Sequence, residues 1–377
     1  MRSYHEASGI LDDMNATWDL SNSTDKLLST RAQAEMFSGV VRITQGDQEL
    51  FAGAYGFTSR AWQVPNRMTT RFDTASLTKL FTAVATLQII DEGAFALDTP
   101  VIPFLGLRDT TISDEVTVFQ LLTHSSGIGD DAEEEAGEDY ADLWREKPNY
   151  AVIETADFLP QFIHKPPNFP PGEGCRYNNC GFVLLGLMIE QAAGKPYREV
   201  VQKRIFEPAD MTDSGFFRLD RVTPDLAEGC DPIEDAEGNV IGWEKNIYSF
   251  PPIGSPDSGA HVTAADLDRF LRSVKAGRLL SPASTEAFFT PHVDYKERDG
   301  WTMRYGLGMW FYVEPDGHIV CCQKEGYNAG VSAVMRYFFD SDINLVILSN
   351  LADGAWEPSW EIHRLIVDWT REKRPGR

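Results

Sequence analysis

Ser76 and Lys79 place a hydroxyl and an amine three positions apart, at the start of an apolar stretch with helical spacing. Residues three or four apart lie on the same face of a helix, so these two side chains can touch. A serine beside an amine, at the positive end of a helix dipole, can become an activated nucleophile. The same spacing also arises by chance, since Ser23 and Lys26 repeat it in a polar segment that we interpret as solvated surface. The pair therefore needs support from the rest of the chain.

The stretch from Phe72 to Asp98 predicts the helix that would carry this pair. Asp73 and Thr74 offer N-terminal capping groups, and Gly93 offers a C-terminal stop. Apolar residues recur every three or four positions, which is typical of a helix packed into a core: Leu77, Leu80, Phe81, Val84, Leu87 and Ile90. This pattern places the serine in the first turn of a long buried helix, with the lysine one turn further on.

The composition indicates a globular protein that acts on small molecules rather than on nucleic acid. The chain has 377 residues, of which 42% are hydrophobic and 24% charged, enough for two domains or for one fold with a large insertion. Its net charge of −23 opposes binding to nucleic acid or to an anionic membrane surface. No stretch of about eighteen apolar residues occurs, so we expect no membrane-spanning helix.

Three further features bear on compartment and cofactors. The first twenty residues lack a basic region followed by an apolar one, so we predict no secretory signal and a cytoplasmic protein. The five cysteines, including the adjacent Cys321 and Cys322, are then expected to be reduced thiols. The seven histidines lack the short spacings of zinc sites, so we predict no metal and no cofactor.

The order of predicted elements indicates an α/β (α+β) fold, with strands at both ends of the chain and mostly helices between them. A hairpin and an antiparallel meander are predicted from six β-rich runs: Gly39–Thr44, Glu49–Tyr55, Gly308–Val313, His318–Cys322, Gly330–Phe339 and Asn344–Ser349. A helix over Trp356–Thr370 closes the chain. We therefore expect a sheet lobe from residues 1–74 and 291–377, a mostly helical lobe from residues 75–290, and a site in the cleft between them.

Three polar features lie in the helical middle part. Tyr177 stands on a loop before an apolar helix at Phe182–Ala193, after a Pro/Gly-rich stretch that stops helices. His124 follows a short helix at Val118–Leu122, and we interpret it as a structural histidine bonded to backbone. The acidic run Asp130–Asp142 is typical of a solvated loop or helix face, and a lid over the site is the alternative.

Three short motifs, in this order, resemble those of the serine β-lactamase and penicillin-binding protein superfamily. They are Ser76-Leu77-Thr78-Lys79, Tyr177-Asn178-Asn179 and Lys324-Glu325-Gly326. The tyrosine of the second motif is similar to that of the class C β-lactamase and family VIII esterase-like branch. The resemblance extends over roughly residues 35 to 350. It implies a β-lactamase-like sandwich, in which terminal helices flank a central antiparallel sheet and a mostly helical lobe is inserted.

Two competing assignments find less support in the pattern. Lys275-Ala276-Gly277 also fits the third motif, but it lies at a predicted helix end. A Gly-x-Ser-x-Gly elbow, which would indicate an α/β-hydrolase with a Ser–His–Asp triad, does not occur in the sequence.

The resemblance implies catalytic roles for Ser76, Lys79 and Tyr177. Ser76 would attack a carbonyl carbon and form an acyl-enzyme. Lys79 could serve as the base only if burial and positive neighbours lower its pKa. Tyr177, held near two lysines, would share the proton transfer and later activate the deacylating water.

The resemblance also implies supporting roles around the nucleophile. Asn179 would position Lys79 and the amide of the acyl group. The backbone N–H groups of Ser76 and Tyr327 would form the oxyanion hole. Lys324 would lie on an edge strand beside the cleft.

Glu325 and Tyr327 depart from the family pattern. Where β-lactamases have a small hydroxyl residue, Glu325 would repel an anionic substrate or neutralise Lys324 by pairing with it. We therefore predict weak β-lactam hydrolysis and a preference for neutral or cationic substrates, such as short acyl esters or amino-terminal amides. The large side chains of Tyr327 and Asn328 are expected to narrow the acyl pocket.

The sequence therefore predicts a serine hydrolase that acts through an acyl-enzyme on small carboxylic esters or amides. A β-lactamase or a D-amino-acid-specific peptidase is the alternative within the same chemistry. A non-catalytic ligand-binding or sensor module on the same scaffold is the alternative from another class. The expected partner is a small-molecule ester, amide or β-lactam, with no nucleic acid and no membrane; the sequence leaves the oligomeric state open.

Overall fold

The computed structural model describes residues 20–298 and 300–372. Residues 1–19, on which we based the prediction about an export signal, lie outside the described residues. Within the described part, no helix is long and apolar enough to cross a membrane.

The strands form one large sheet and three small two-stranded sheets. Their bounds are β1 (Gly39–Gln45), β2 (Gln48–Tyr55), β3 (Phe57–Ser59), β4 (Val64–Pro65), β5 (Phe72–Asp73), β6 (Cys230–Glu234), β7 (Val240–Lys245), β8 (His261–Val262), β9 (Val293–Arg298), β10 (Trp301–Tyr305), β11 (Trp310–Val313), β12 (Ile319–Asn328), β13 (Val331–Phe338) and β14 (Ile343–Ser349). The large sheet has the order β2-β1-β14-β13-β12-β11-β10-β9, and each neighbouring pair is antiparallel. The small sheets pair β3 with β4, β5 with β8 and β6 with β7.

Helices fill the segment between the two groups of sheet strands and also lie at both ends of the described chain. Their bounds are α1 (residues 20–33), α2 (Thr78–Asp91), α3 (Val101–Leu105), α4 (Val118–Leu122), α5 (Leu143–Glu146), α6 (Leu159–Phe162), α7 (Cys180–Ala193), α8 (Tyr197–Val201), α9 (Ala264–Lys275), α10 (Pro282–Phe288) and α11 (Trp356–Glu372). Short 3-10 turns lie at Ala75–Leu77, Glu134–Ala136, Tyr140–Asp142, Asn149–Ala151 and Thr155–Phe158, and a π turn at Gln202–Phe206 extends α8.

The terminal helices cover one face of the large sheet. Leu28 of α1 and Ile362 of α11 are buried in one apolar cluster with Val41 of β1 and Ile347 of β14. Because successive residues of a strand point to opposite faces, the strand neighbours of these valine and isoleucine residues face the other way. The expected arrangement of a central antiparallel sheet flanked by terminal helices is confirmed.

The opposite face of the sheet packs on the helical middle part. Val40 of β1 and Leu348 of β14 share a second apolar cluster with Leu80 of α2, Leu184 of α7 and Phe270 of α9. Helix α2 is buried along nearly its whole length, which fits the apolar spacing read from the sequence. The sheet therefore provides a rigid floor beneath the nucleophile helix.

Two hairpins escaped prediction. The β6–β7 pair lies in the segment that we expected to be mostly helical, and the β9–β10 pair precedes the predicted meander. Both β7 and β9 carry mainly half-exposed or exposed side chains. Their residues therefore lack the clear apolar alternation by which a half-buried strand is recognised.

Candidate active site

Ser76 lies in the 3-10 turn that leads into α2, at the wall of a cavity of about 650 Å³. The preceding residue, Ala75, has a φ of +43°, a left-handed conformation that costs energy for a residue with a Cβ. The carboxylate of Asp73 holds this turn by accepting a 2.7 Å hydrogen bond from the Ala75 N–H. The strained turn presents the serine hydroxyl to the cavity, while its neighbours Thr74 and Leu77 are fully buried.

Lys79 is fully buried beneath Ser76 and makes three hydrogen bonds. Its Nζ atom lies 3.0 Å from Ser76 Oγ, 2.7 Å from Asn179 Oδ1 and 2.8 Å from the carbonyl oxygen of Asp257. Burial disfavours the ammonium, but the attraction of Tyr177 and of nearby carboxylates outweighs it, so the pKa of Lys79 is raised. The lowered pKa that we required of Lys79 as a base is therefore the wrong direction, because the pocket behind it is acidic.

Tyr177 stands on the loop before α7, with its ring between two lysines. The Nζ atoms of Lys79 and Lys324 lie 5.0 Å and 4.7 Å from its ring centroid. Its hydroxyl is near enough to Lys79 and Ser76 for both to lower the pKa of Tyr177. Burial raises the pKa of Tyr177 despite the opposing attraction of Lys79, so the neutral phenol is the resting form.

His124 has a structural role, as predicted. Its Nδ1 atom accepts a 3.1 Å hydrogen bond from the N–H of Asn178, and its ring packs 4.6 Å from that of Tyr177. Burial lowers the pKa of His124 well below its usual value, and the two active-site lysines lower it further. The neutral imidazole therefore supports the tyrosine loop from behind.

Asn179 connects Lys79 to the start of α7. Its side-chain oxygen accepts the hydrogen bond from Lys79, and its backbone N–H donates to both carboxylate oxygens of Asp130 at 2.9 Å. Asp130 also accepts a 2.9 Å hydrogen bond from the N–H of Cys180. A carboxylate at the N-terminus of a helix satisfies free N–H groups and complements the helix dipole. Asp130 thereby fixes the position of Asn179.

Lys324 is fully buried, and its Nζ atom has no hydrogen-bond partner among residues 20–298 and 300–372. Burial lowers the pKa of Lys324 well below its usual value, and repulsion from Lys79 adds to this effect. The alternative that Glu325 neutralises Lys324 by pairing with it is wrong. Glu325 instead accepts a hydrogen bond from Gln323, which in turn accepts one from the buried Arg336.

Strand β12 lies between β13 and β11, so the prediction that Lys324 lies on an edge strand of the sheet was wrong. It pairs with β13 along Cys322–Asn328 and with β11 as far as Gln323, which lies opposite Trp310. Because β11 starts at Trp310, the third motif has a ladder partner on one side only. The second half of β12 thus behaves as a local edge that opens into the cavity.

Gly326 brings β12 against the nucleophile turn. A Cβ atom at this position would lie 2.0 Å from the carbonyl oxygen of Thr74 and 3.1 Å from the backbone nitrogen of Ser76. Only glycine permits this approach, and it places the start of Tyr327 beside Ser76. The Tyr327 side chain is 54% exposed and lines the cavity without closing it.

The acidic run is part of the site. The prediction of a solvated face was wrong for Asp130 and Asp131, whereas residues 134–139 are exposed. We call residues 130–142 the acidic strap. Asp130 and Asp131 are buried, and Glu134 and Glu135 line the cavity. Glu135 accepts a 3.1 Å hydrogen bond from the N–H of Tyr177. The sequence carried no signal for this role, because a charge run has the same appearance whether it faces water or a cavity.

Asp130, Asp131 and Cys180 are close enough to suggest metal ligands, since one ligand atom of each lies within 4.8 Å of the others. These atoms already have protein partners: Asp130 caps α7, and the Cys180 sulfur accepts a hydrogen bond from the Asp131 N–H. Burial raises the pKa of Asp130 to about 6 and that of Asp131 well above its usual value. We interpret the cluster as a structural support of the tyrosine loop.

An antiparallel sheet with helices on both faces and three motifs around one cavity defines the class of β-lactamases and penicillin-binding proteins. The family model described as Beta-lactamase matches residues 24–365, so the chain belongs to this family.

Known relatives include penicillin-binding proteins and esterases. The chain is 25% identical over 344 residues to Penicillin-binding protein 4* of Bacillus subtilis, covering 86% of this chain and 70% of the relative. It is 31% identical over 268 residues to Esterase EstB of Burkholderia gladioli, covering 65% and 67%. Among solved structures, a penicillin binding protein from Bacillus halodurans has a TM-score of 0.81 at 36% identity, covering 89% of this chain and 99% of that one.

Proposed function

We propose that the chain is a serine hydrolase that cleaves small carboxylic esters or amides through an acyl-enzyme on Ser76. The observation that carries this proposal is the 3.0 Å contact between Ser76 Oγ and Lys79 Nζ at the wall of the 650 Å³ cavity. Nucleophile and amine within hydrogen-bond reach, with the amine oriented by a third group, form the usual signature of an activated serine. The relatives named above, an esterase and a penicillin-binding protein, support the same chemistry.

The proton of Ser76 has two possible acceptors. Asn179 Oδ1 and the Asp257 carbonyl can only accept hydrogen bonds, so they orient two N–H groups of Lys79. The third position on Lys79 Nζ faces Ser76 and holds either a proton or a lone pair. Because the pKa values of Lys79 and Tyr177 are both raised, both groups are protonated at rest. The reactive form is the one in which Tyr177 has lost its proton to solvent, and we assign the first proton transfer to this phenolate.

The acylation step then balances as follows. The Ser76 O–H bond breaks as its oxygen bonds to the substrate carbonyl carbon, and the proton moves to the Tyr177 phenolate, which the Lys79 ammonium stabilises. The leaving alcohol or amine takes this proton when its bond to the carbonyl carbon breaks. Water later repeats the sequence against the acyl-enzyme, with Tyr177 accepting its proton.

We assign the oxyanion hole to the backbone N–H groups of Ser76 and Tyr327. The close approach at Gly326 supports this assignment, because it sets the two backbone segments side by side. Preorganised donors of this kind stabilise the tetrahedral intermediate by about 2.7–4 kcal/mol each.

Hydrolysis of β-lactams remains the alternative, and we retain the prediction that it is weak. The unpaired Lys324 could attract an anionic substrate, but Glu325 and four carboxylates of the acidic strap outnumber Lys296 and Arg298 in the cavity lining. Like charges at close range oppose binding of a carboxylate.

A hydrolysis panel tests the proposal. Nitrophenyl esters, nitrocefin and D-amino-acid anilides are incubated with the wild type and with Ser76→Ala. We expect ester turnover to exceed nitrocefin turnover, and Ser76→Ala to lose about 10³-fold or more in kcat. Equal catalysed rates for Ser76→Ala and the wild type would refute the nucleophile, and a wild-type rate no higher than the uncatalysed background would leave a non-catalytic module. Faster turnover of nitrocefin than of a short ester would refute the substrate preference only.

A further inference from the structure

The cavity beside Ser76 has two chemically different walls. The acidic strap forms one wall, and aromatic rings that include Tyr177, Tyr295 and Trp310 form another. Aromatic faces bind apolar groups and also attract cations. Carboxylates next to such rings form a setting that favours a positively charged organic group.

The carboxylates of the strap differ in what they bind. Most of them accept hydrogen bonds or ion pairs that hold the strap itself in place. Glu133 pairs with Arg176 at 2.8 Å, Glu135 accepts from Tyr295 Oη at 2.6 Å, Glu138 accepts from the Glu133 N–H at 2.9 Å, and Asp139 accepts from the Ala141 N–H at 2.9 Å. These groups are already committed within the protein.

Glu134 is the exception. The one hydrogen bond of its carboxylate in the described part of the chain is a long contact of 3.4 Å from the Asn179 side-chain nitrogen, and no salt bridge to it is found there. Glu134 lines the same cavity as Ser76. The residue is exposed to the cavity, although burial of its carboxylate by neighbouring atoms raises its pKa, with Lys79 opposing this shift. A weakly paired carboxylate that faces a cavity is free to form a charge-assisted hydrogen bond with a partner that carries positive charge.

The position of Glu134 relates it to the reaction centre. Asn179 bonds Lys79 through its oxygen and Glu134 through its nitrogen, and Lys79 contacts Ser76. Glu134 is thus separated from the nucleophile by the two side chains that organise it. A cation bound to Glu134 would therefore lie close to the substrate carbonyl group that Ser76 attacks.

We propose that Glu134 binds the protonated amine of the acyl group, so that the preferred substrates are amides and esters of amino acids with a free amino group. This inference rests on the proposed function and adds the substrate class. The aromatic wall would accept a large apolar side chain on the same acyl group. The strap thereby selects the substrate by its charge.

A matched pair of substrates tests this inference. Phenylalanine 4-nitroanilide, as D and L forms, carries the amine, and 3-phenylpropionyl 4-nitroanilide lacks it. The readout is the ratio of kcat/KM for the amine substrate to kcat/KM for its desamino partner. Glu134→Gln keeps size and hydrogen-bonding capacity but removes the charge. A charge-assisted hydrogen bond supports a loss of about 10- to 100-fold in this ratio.

Asp142→Asn is the control, because it makes the same charge change at an exposed strap residue that pairs with Arg145 and does not line the cavity. We expect this control to leave the ratio unchanged. An unchanged ratio in Glu134→Gln, or an equal loss in both variants, would overturn the assignment. Failure of the wild type to cleave either enantiomer of the amine substrate would overturn it as well.

A second measurement does not depend on turnover of an amide. Phenylalaninamide should inhibit hydrolysis of a neutral nitrophenyl ester more strongly than 3-phenylpropanamide does, and Glu134→Gln should abolish the difference. Equal inhibition of the wild type by the two amides would overturn the proposal about Glu134. The proposed function would still stand, because Ser76-dependent ester hydrolysis would still be observed. Absence of Ser76-dependent ester hydrolysis would instead refute the proposed function.

Discussion

Gly326→Ala should separate the two halves of the proposed oxyanion hole while the fold is kept. The added Cβ would lie 2.0 Å from the Thr74 carbonyl oxygen, whereas contacts of this kind are not shorter than 3.0 Å. The strand or the nucleophile turn must therefore shift by about 1 Å. A displacement of about 1 Å in a reacting group costs about 100-fold in rate, and loss of one oxyanion donor costs about 100- to 1000-fold.

We expect kcat/KM for a neutral nitrophenyl ester to fall about 100- to 1000-fold in Gly326→Ala, which is about 2.7–4 kcal/mol of transition-state stabilisation. The accompanying loss of unfolding free energy should be about 1–3 kcal/mol, since the site is overpacked. Gly242→Ala is the matched control, because its new Cβ would meet nothing closer than Ile233 Cδ1 at 3.6 Å. The assay pairs ester kinetics with thermal unfolding followed by circular dichroism.

The reasoning would be refuted if folded Gly326→Ala kept kcat/KM within about threefold of the wild type. Equal activity losses in Gly326→Ala and Gly242→Ala would refute it too, since the second change creates no contact with the nucleophile turn.

Three further predictions concern protons and buried charges. Because Lys79 and Tyr177 both have raised pKa values, kcat/KM for a neutral ester should rise from neutral to alkaline pH, and a pH–rate profile with no alkaline increase would contradict this. Asp131→Asn should increase the unfolding free energy more at pH 8 than at pH 4, because a buried acid whose folded-state pKa is raised destabilises the fold as pH rises toward that pKa; equal gains at both pH values would contradict this. Glu325→Gln should lower the unfolding free energy by about 1–3 kcal/mol, because the fully buried Arg336 reaches this carboxylate through a bridging glutamine; equal urea midpoints for variant and wild type would rule this out.

Local patterns sufficed where chemistry and secondary structure coincide. Ser76 and Lys79 begin an apolar helix, and Tyr177 precedes another, so both motifs could be placed on their elements from the sequence. The structure brings these three residues together around one cavity. It also places Asn179 and Lys324 beside them, although the catalytic role of each residue remains our proposal.

The failures came from features that depend on distant neighbours. The first residue of β11 determines where β12 loses its pairing partner on that side. The residues of the third motif do not show where β11 begins, so this local edge could not be predicted from them. Asp130 looked like surface charge because its partners, the N–H groups of Asn179 and Cys180, lie almost fifty residues away. The Asp257 carbonyl that accepts a hydrogen bond from Lys79 is a backbone group. Every residue has such a group, so the residue type at position 257 could not predict this contact.

Covalent labelling of Ser76 tests the central claim most directly. A fluorophosphonate probe reacts with activated serines, and intact-mass spectrometry followed by peptide mapping locates the adduct. We predict one adduct on the wild type, at Ser76, and none on Ser76→Ala. Ser23→Ala, which removes the other serine three residues before a lysine, should label as the wild type does. An unlabelled wild type, or an adduct that persists in Ser76→Ala, would contradict the account.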